Sequence, residues 1–176
     1  MRKVELLTYN TEWPSCYARE KLTLIDILAA DLVSIYHIGS TSVPGLKAKP
    51  IIDILAVVRD IEKLDNSNDR MILAGYTPKG EYGISGRRYF FKGTSDRHSF
   101  HLHAFQDGNP QIERHIRFRD YLRSHPVEAQ EYEMLKENLA ERFPDDINAY
   151  TDGKDVFIKN IDKKAAAVFR RHLKAE

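Results

Sequence analysis

Eight consecutive residues, Ile51 to Val58 (IIDILAVV), are apolar on both faces of an extended strand except for one acid, Asp53. A strand with no polar face is covered on both sides, so it belongs in the middle of a sheet. An ionised carboxylate there is costly unless it is paired, hydrogen-bonded or bound to a metal ion. Asp53 therefore needs a partner. It is either a structural latch onto backbone N–H groups of the preceding loop or an acid with a catalytic or metal-binding role.

The flanking sequence supplies the rest of the sheet and its cover. Val4 to Thr8 is predicted as a short first strand, after which Asn10 or Thr11 caps a helix reaching about Ala30. Pro14 falls in the first turn of that helix, where a missing N–H costs nothing. Ser34 to Ile38 reads as a strand, and Asp60 caps a helix running to about Ala74. Tyr76 to Lys92 reads as β structure broken by turns at Pro78-Lys79-Gly80 and Gly83 to Gly86, followed by a strand at His98 to Gln106. Helices are predicted over Gln111–Ser124, Val127–Phe143 and from about Asp152 to Leu173, with Pro126 and Pro144 as punctuation. Strands first and a helical block last indicate an α+β fold, a mixed sheet with helices packed on one side. The length of 176 residues fits one domain, with a sheet-containing core over 1–108 and a packed helical block over 109–176.

The loop between the two central strands, Gly39-Ser40-Thr41-Ser42, presents backbone N–H groups and hydroxyls in the manner of an anion cradle. It is not a Walker A loop, because five residues separate Gly39 from Gly45 and Lys47 is not followed by Ser or Thr. In HSFHLHAF, His98 to Phe105, the two-residue period puts His101 and His103 on one face. Two imidazoles so spaced can converge on one metal ion or one phosphate, or partner a buried acid on a neighbouring strand; a pair of half-exposed sheet histidines is the plain alternative. Basic residues gather around the predicted cleft at Lys47, Lys49, Arg87, Arg88, Lys92 and Arg97, and again at Arg114, Arg117, Arg119 and Arg123. The last four equally suit a solvated helix face paired with Glu113 and Asp120.

With 27 basic and 26 acidic residues the net charge is +1, so nothing global favours nucleic acid or a membrane surface, and any anion site is local. The single cysteine, Cys16, excludes an internal disulfide and a cysteine-based zinc site, and its helical surroundings fit a half-buried thiol. No apolar run approaches the ~18 residues of a membrane span, and the N-terminal residues lack a signal-peptide core, so a cytoplasmic protein is expected.

The stretch HIGSTSVPGLKAKPIIDIL, His37 to Leu55, resembles the signature of the GrpB family. The resemblance runs along nearly the whole chain, through Tyr9 to Pro14, FHLHAF (Phe100 to Phe105), FRDYLRSHP (Phe118 to Pro126) and GKDVFIKNI (Gly153 to Ile161). It implies a nucleotidyltransferase-like mixed sheet flanked by helices, of the DNA-polymerase-β type. The superfamily pattern implied is Gly-Ser, about a dozen residues, then two acids separated by one apolar residue, with a third acid on a later strand. Gly39 and Ser40 match, twelve residues separate Ser40 from Asp53, and the second acid position is Leu55. Where a third acid is implied, this chain offers His101 and His103. A two-magnesium site needs several carboxylates, whereas imidazole suits zinc, manganese or iron.

The expectation is therefore a protein that binds a nucleotide or another phosphorylated small molecule at Gly39, Ser40, Thr41 and Ser42, with Lys49, Arg87, Arg88 and Arg119 neutralising phosphate. Asp53, His101 and His103 would hold one divalent ion (Mg²⁺, Mn²⁺ or Zn²⁺) or act as an acid–base set, and nucleotidyl transfer to a small acceptor is the implied chemistry. Similar domains occur fused to dephospho-CoA kinase, which gives a second reading: a non-catalytic accessory module beside enzymes of CoA synthesis. A mononuclear hydrolase built on Asp53 and the two histidines is the third.

Overall fold

The computed structural model describes residues 3–173. Five strands form one sheet: β1 (Leu32–Ile38), β2 (Ile52–Val58), β3 (Tyr76–Pro78), β4 (Arg87–Gly93) and β5 (His98–Gln106). Their spatial order is β1-β2-β5-β4-β3, with β2 and β5 parallel and the other neighbours antiparallel. The apolar strand is thus interior, as its composition requires. The parallel step follows from the long crossover between β2 and β5, which carries helix α2 (Asn68–Leu73) and the β3–β4 hairpin.

Alternation along the strands divides the side chains between two faces. Ile52, Ile54, Ala56, Phe90, Leu102 and Ala104 point to a core completed by Trp13, Leu24 and Leu28 of helix α1 (Trp13–Leu28) and by Met71 of α2. On the other face Ile38, Leu55 and Phe105 pack beneath Ile112 and Ile116 of helix α3 (Pro110–Ser124). Helices therefore cover both faces, not one. The second face is only half covered, and the uncovered half holds Asp53.

Helix α3 is followed by α4 (Pro126–Arg142), α5 (Ile147–Asp152) and α6 (Asp155–Leu173). This block has a core of its own in Tyr121, Leu122, Tyr132, Ile161 and Ala165, into which the loop after β1 inserts Val43 and Leu46. The loop and the helical block are therefore packed as one body.

Three local expectations change. Val4 to Thr8 is not a strand: only Leu7 bridges, to Ala48, and Val4 turns to the Pro144 carbonyl and a helical cluster with Leu139 and Tyr150. The helix after Asp60 is broken into a 3₁₀ segment, Lys63–Ser67, and the short α2, across the poor helix formers Asn66, Ser67 and Asn68. Asp60 does cap it, accepting from the N–H groups of Glu62 and Lys63. The last helix runs close to its expected bounds, but a separate short helix not expected from the sequence, α5, precedes it, and Asp146 caps α5 through the N–H groups of Asn148 and Ala149. Among the described residues no helix is long and apolar enough to cross a membrane.

Candidate functional site

The uncovered half of the sheet opens into a cleft of about 1000 Å³ between β2, β4 and β5 on one side and α4, α5 and Lys154 just after it on the other. Parallel pairing of β2 with β5 places Asp53 beside His101 in register, and alternation brings His103 onto the same face. His101 Nδ1 lies 3.2 Å from Asp53 Oδ1, and His103 Nε2 lies 3.7 Å from the same oxygen. Asp53 thus finds its partners across the strand, on imidazoles, and not in backbone N–H groups of the loop. Burial opposes its ionisation, yet the hydrogen bonds and charges of the two imidazoles more than offset that and hold the carboxyl well below the usual range. Burial lowers the His103 pKa in turn.

Each imidazole is also engaged at its other nitrogen. His101 Nε2 is 2.9 Å from His98 Nδ1, whose ring stacks on Phe91, and His103 Nδ1 is 3.3 Å from Arg87 Nη1. Asp53, His101 and His103 are therefore brought together as expected, but as a hydrogen-bonded cluster with nitrogens turned on one another and on an arginine. Among the described residues no group of three or more His, Cys, Asp and Glu side chains is arranged to hold a metal ion. The three do not fit a metal cage in this arrangement. The second acid position is closed as well, since Leu55 is fully buried in the apolar cluster under α3.

The turn at the end of β1 meets this cluster from the side. Gly39, Ser40 and Thr41 line the cleft. Thr41 is buried, its hydroxyl 2.9 Å from His37 Nε2 and 3.5 Å from the Ile51 carbonyl. Ser42 donates to the Gly39 carbonyl at 2.6 Å and does not line the cleft. Two of the three hydroxyls thus brace the turn.

The predicted cations divide in the same way. Lys49 and Arg87 line the cleft, Arg87 donating also to the carbonyls of Glu81 and Tyr82. Arg88, one residue on, takes the opposite face of the sheet and forms a two-pronged pair with Asp65 at 2.8 and 2.9 Å. Arg119 donates to the His37 carbonyl and pairs with Asp120, so it is spent on bracing β1 and does not line the cleft. Arg123, from the same helix, clasps the Ser42 carbonyl.

Sequence reasoning missed the helical wall. Tyr132, Lys136, Tyr150 and Lys154 all line the cleft, as does Lys79 from the β3–β4 hairpin. Lys136 is 2 % exposed, and its ammonium donates to the Lys47 carbonyl. The acids nearest it on α4, Glu133 and Glu137, are held by Lys47 instead, at 3.8 and 2.5 Å. Burial, with the Lys154 charge adding to it, pushes the Lys136 pKa down to about 7. The Lys154 ammonium lies 4.5 Å from the Tyr150 ring centroid, and burial lowers its pKa too. A signal for Lys136 was present: it falls on the apolar stripe Tyr132–Lys136–Leu139, where a lysine without a purpose would be replaced by leucine.

Residues 3–164 match the family model described as GrpB protein. The chain belongs to the GrpB family. It is 51% identical over 164 residues to the UPF0157 protein YqkA of Bacillus subtilis, covering 93% of this chain but 48% of that protein, so it spans about half the length of that relative. It is 37% identical to the glutamate-rich protein GrpB of Alkalihalophilus pseudofirmus, over 90% of this chain and 94% of that one. The crystal structure of conserved protein GrpB from Enterococcus faecalis superposes with a TM-score of 0.89 at 42% identity, over 94% of this chain and 99% of that one. More distant likenesses are a dephospho-CoA kinase of Mycolicibacterium paratuberculosis, 25% identical over 92% of this chain and 46% of that one, and a Trypanosoma brucei terminal uridylyl transferase with bound CTP, with a TM-score of 0.48 and 15% identity over 82% of this chain and 48% of that one.

In this GrpB chain the meeting of turn and carboxylate depends on one glycine. Gly39 has φ 70° and ψ −173°, a region that side-chain-bearing residues scarcely enter. A Cβ there would collide with Asp53 Oδ2. Gly39→Ala is expected to lower stability by about 3 kcal/mol through strain and the displaced carboxylate, read as a fall in the chemical-denaturation midpoint.

Proposed function

We propose that the cleft binds a nucleotide or another phosphorylated small molecule by its phosphates, and that the reaction it supports is transfer of a nucleotidyl group to a small acceptor. The observation that carries this reading is the charge of the cleft walls. Lys49, Lys79, Arg87, Lys136 and Lys154 face Asp53 and Asp152, five cations to two acids in a protein of net charge +1. Burying the Lys136 ammonium is costly when the neighbouring acids are held by Lys47, and a phosphate would bring counter-charge beside it.

Ser40 and the backbone of the Gly39 turn would face the phosphates from the sheet side, with Lys136 and Lys154 opposite. Phosphoryl chemistry needs little covalent help; positioning and charge neutralisation provide most of the rate. The acceptor's proton would pass to the Asp53–His101 pair. A divalent ion, Mg²⁺, Mn²⁺ or Zn²⁺, would arrive with the ligand's phosphates as their counter-charge, since both imidazoles are already engaged at each nitrogen. Leu55, buried where a second acid would stand, favours a second reading in which the site binds such a ligand without transferring anything, as an accessory module would.

Calorimetric titration with ATP, CTP, dephospho-CoA and inorganic tripolyphosphate, with and without each divalent ion, tests the proposal. Binding that Arg87→Ala weakens and Arg88→Ala leaves unchanged is expected. No heat and no thermal stabilisation by any of these ligands would sink it. Release of pyrophosphate in the presence of candidate acceptors separates transfer from binding alone.

A further inference from the structure

The loop between β3 and β4 carries an aromatic residue in a costly conformation. Tyr82 has φ 45°, in the left-handed region, although glycines at 80, 83 and 86 stand around it. The residue is 64% exposed, and its ring lies parallel to the Tyr89 ring, with centroids 5.0 Å apart and planes inclined by 10°. Both rings line the cleft. Tyr89 is buried, meets His101 and His103 edge-on at 5.5 and 5.2 Å, and carries the Arg87 guanidinium 5.0 Å from its centroid.

Hydrogen bonds enforce the arrangement. Arg87 donates through Nη2 to the Tyr82 carbonyl at 2.5 Å and through Nε to the Glu81 carbonyl at 3.1 Å, and the Glu81 carboxylate accepts from the Gly86 N–H at 2.6 Å. One arginine thus reaches His103, stacks on Tyr89 and holds Tyr82 in the strained turn. Strain at a largely exposed aromatic, enforced by a residue of the site, points to a use beyond its stacking on Tyr89, because the outer face of the ring stays open to the cleft mouth.

We infer that Tyr82 is a stacking platform at the mouth of the cleft and that the ligand is a nucleotide, its base lying on the outer face of the Tyr82 ring while its phosphates reach the lysines. This rests on the phosphate-binding reading and narrows it, since a sugar phosphate has no planar aromatic ring to stack. Base–aromatic stacking tolerates any base, so the platform fixes the presence of a base more than its identity.

The test is the ratio of ATP affinity to tripolyphosphate affinity, by calorimetry in buffer containing Mg²⁺. In Tyr82→Asn, which keeps the left-handed turn but removes the ring, the ratio is expected to fall about tenfold. Tripolyphosphate binding itself should be unchanged, and the melting temperature should equal or exceed that of the parent as the strain is relieved. Tyr82→Phe should keep the parent ratio. An unchanged ratio in Tyr82→Asn, with tripolyphosphate still bound, overturns the platform and leaves phosphate binding standing. Failure of both probes to bind the parent overturns both.

Discussion

Replacing Lys136 with methionine is expected to weaken phosphate binding by about 10- to 100-fold while making the free protein more stable by about 2 kcal/mol. The two effects have one cause. Lys136 is buried on the apolar stripe of α4, with the neighbouring carboxylates turned away to Lys47. The free fold therefore contains a buried ammonium whose desolvation the more distant Glu133 and Glu137 charges only partly offset, and a methionine of similar shape removes that cost. The ligand's phosphate would remove it too, so the variant loses the gain on binding that the parent enjoys. A residue that merely packed would lower stability when altered and leave affinity in proportion.

The pH dependence gives an independent check on Lys136. Its pKa lies at about 7 in the fold, against 10.5 for an exposed lysine. The unfolded chain then binds the extra proton between those values, and stability of the parent rises across the interval. The advantage of the methionine variant should shrink as pH climbs from 7 towards 10.5. Phosphate binding at pH 8 should draw a proton onto Lys136, visible as a binding heat that varies with the ionisation enthalpy of the buffer. No proton uptake, or uptake unchanged in the variant, would remove Lys136 from the site.

Acid should unfold this protein early and steeply. Burial pushes the pKa of His37 from 6.5 to about 4 and that of His115 from 6.5 to about 3, the nearby arginines adding to the effect. Both are neutral in the fold and charged in the unfolded chain once the pH drops below about 6.5. A base with a depressed folded pKa contributes stability above its unfolded pKa and loses it as pH falls towards the folded one. Two such groups give a slope of up to about 3 kcal/mol per pH unit between roughly pH 6 and pH 4. His103 shifts in the same direction, and the depressed Asp53 carboxyl adds its own loss at lower pH. Urea midpoints across that range measure the slope. His37→Gln should flatten it, and a slope unaffected by that change would mean His37 is already charged in the fold.

His37 also shows how a residue can stay out of view in the sequence. It precedes the Gly-Ser turn and reads as the end of a strand, yet its ring stacks on Tyr17 and its Nε2 holds the Thr41 hydroxyl. Nothing in local spacing announces a partner on a helix that lies earlier in the chain. The arginines of α3 gave the opposite error. Arg119 has the composition of a phosphate ligand, but the packing of α3 against β1 turns it towards the His37 carbonyl.

The sequence by itself determined the interior strand, because eight residues with one polar side chain cannot lie at an edge. It also determined that Asp53 needs a partner and that His101 and His103 share a face, since a two-residue period leaves no freedom in that matter. The family, too, was legible from the stretch His37 to Leu55. Tertiary structure alone decided which basic residues face the cleft. One step along β4 separates Arg87, inside, from Arg88, which pairs with Asp65 on the far side of the sheet. Whether a strand residue points in or out depends on the register with its neighbours, and register is set by the whole sheet. The buried lysines of the helical wall were decided the same way, by how α4 and the segment from α5 to Lys154 pack across the sheet from residues nearly a hundred positions earlier in the chain.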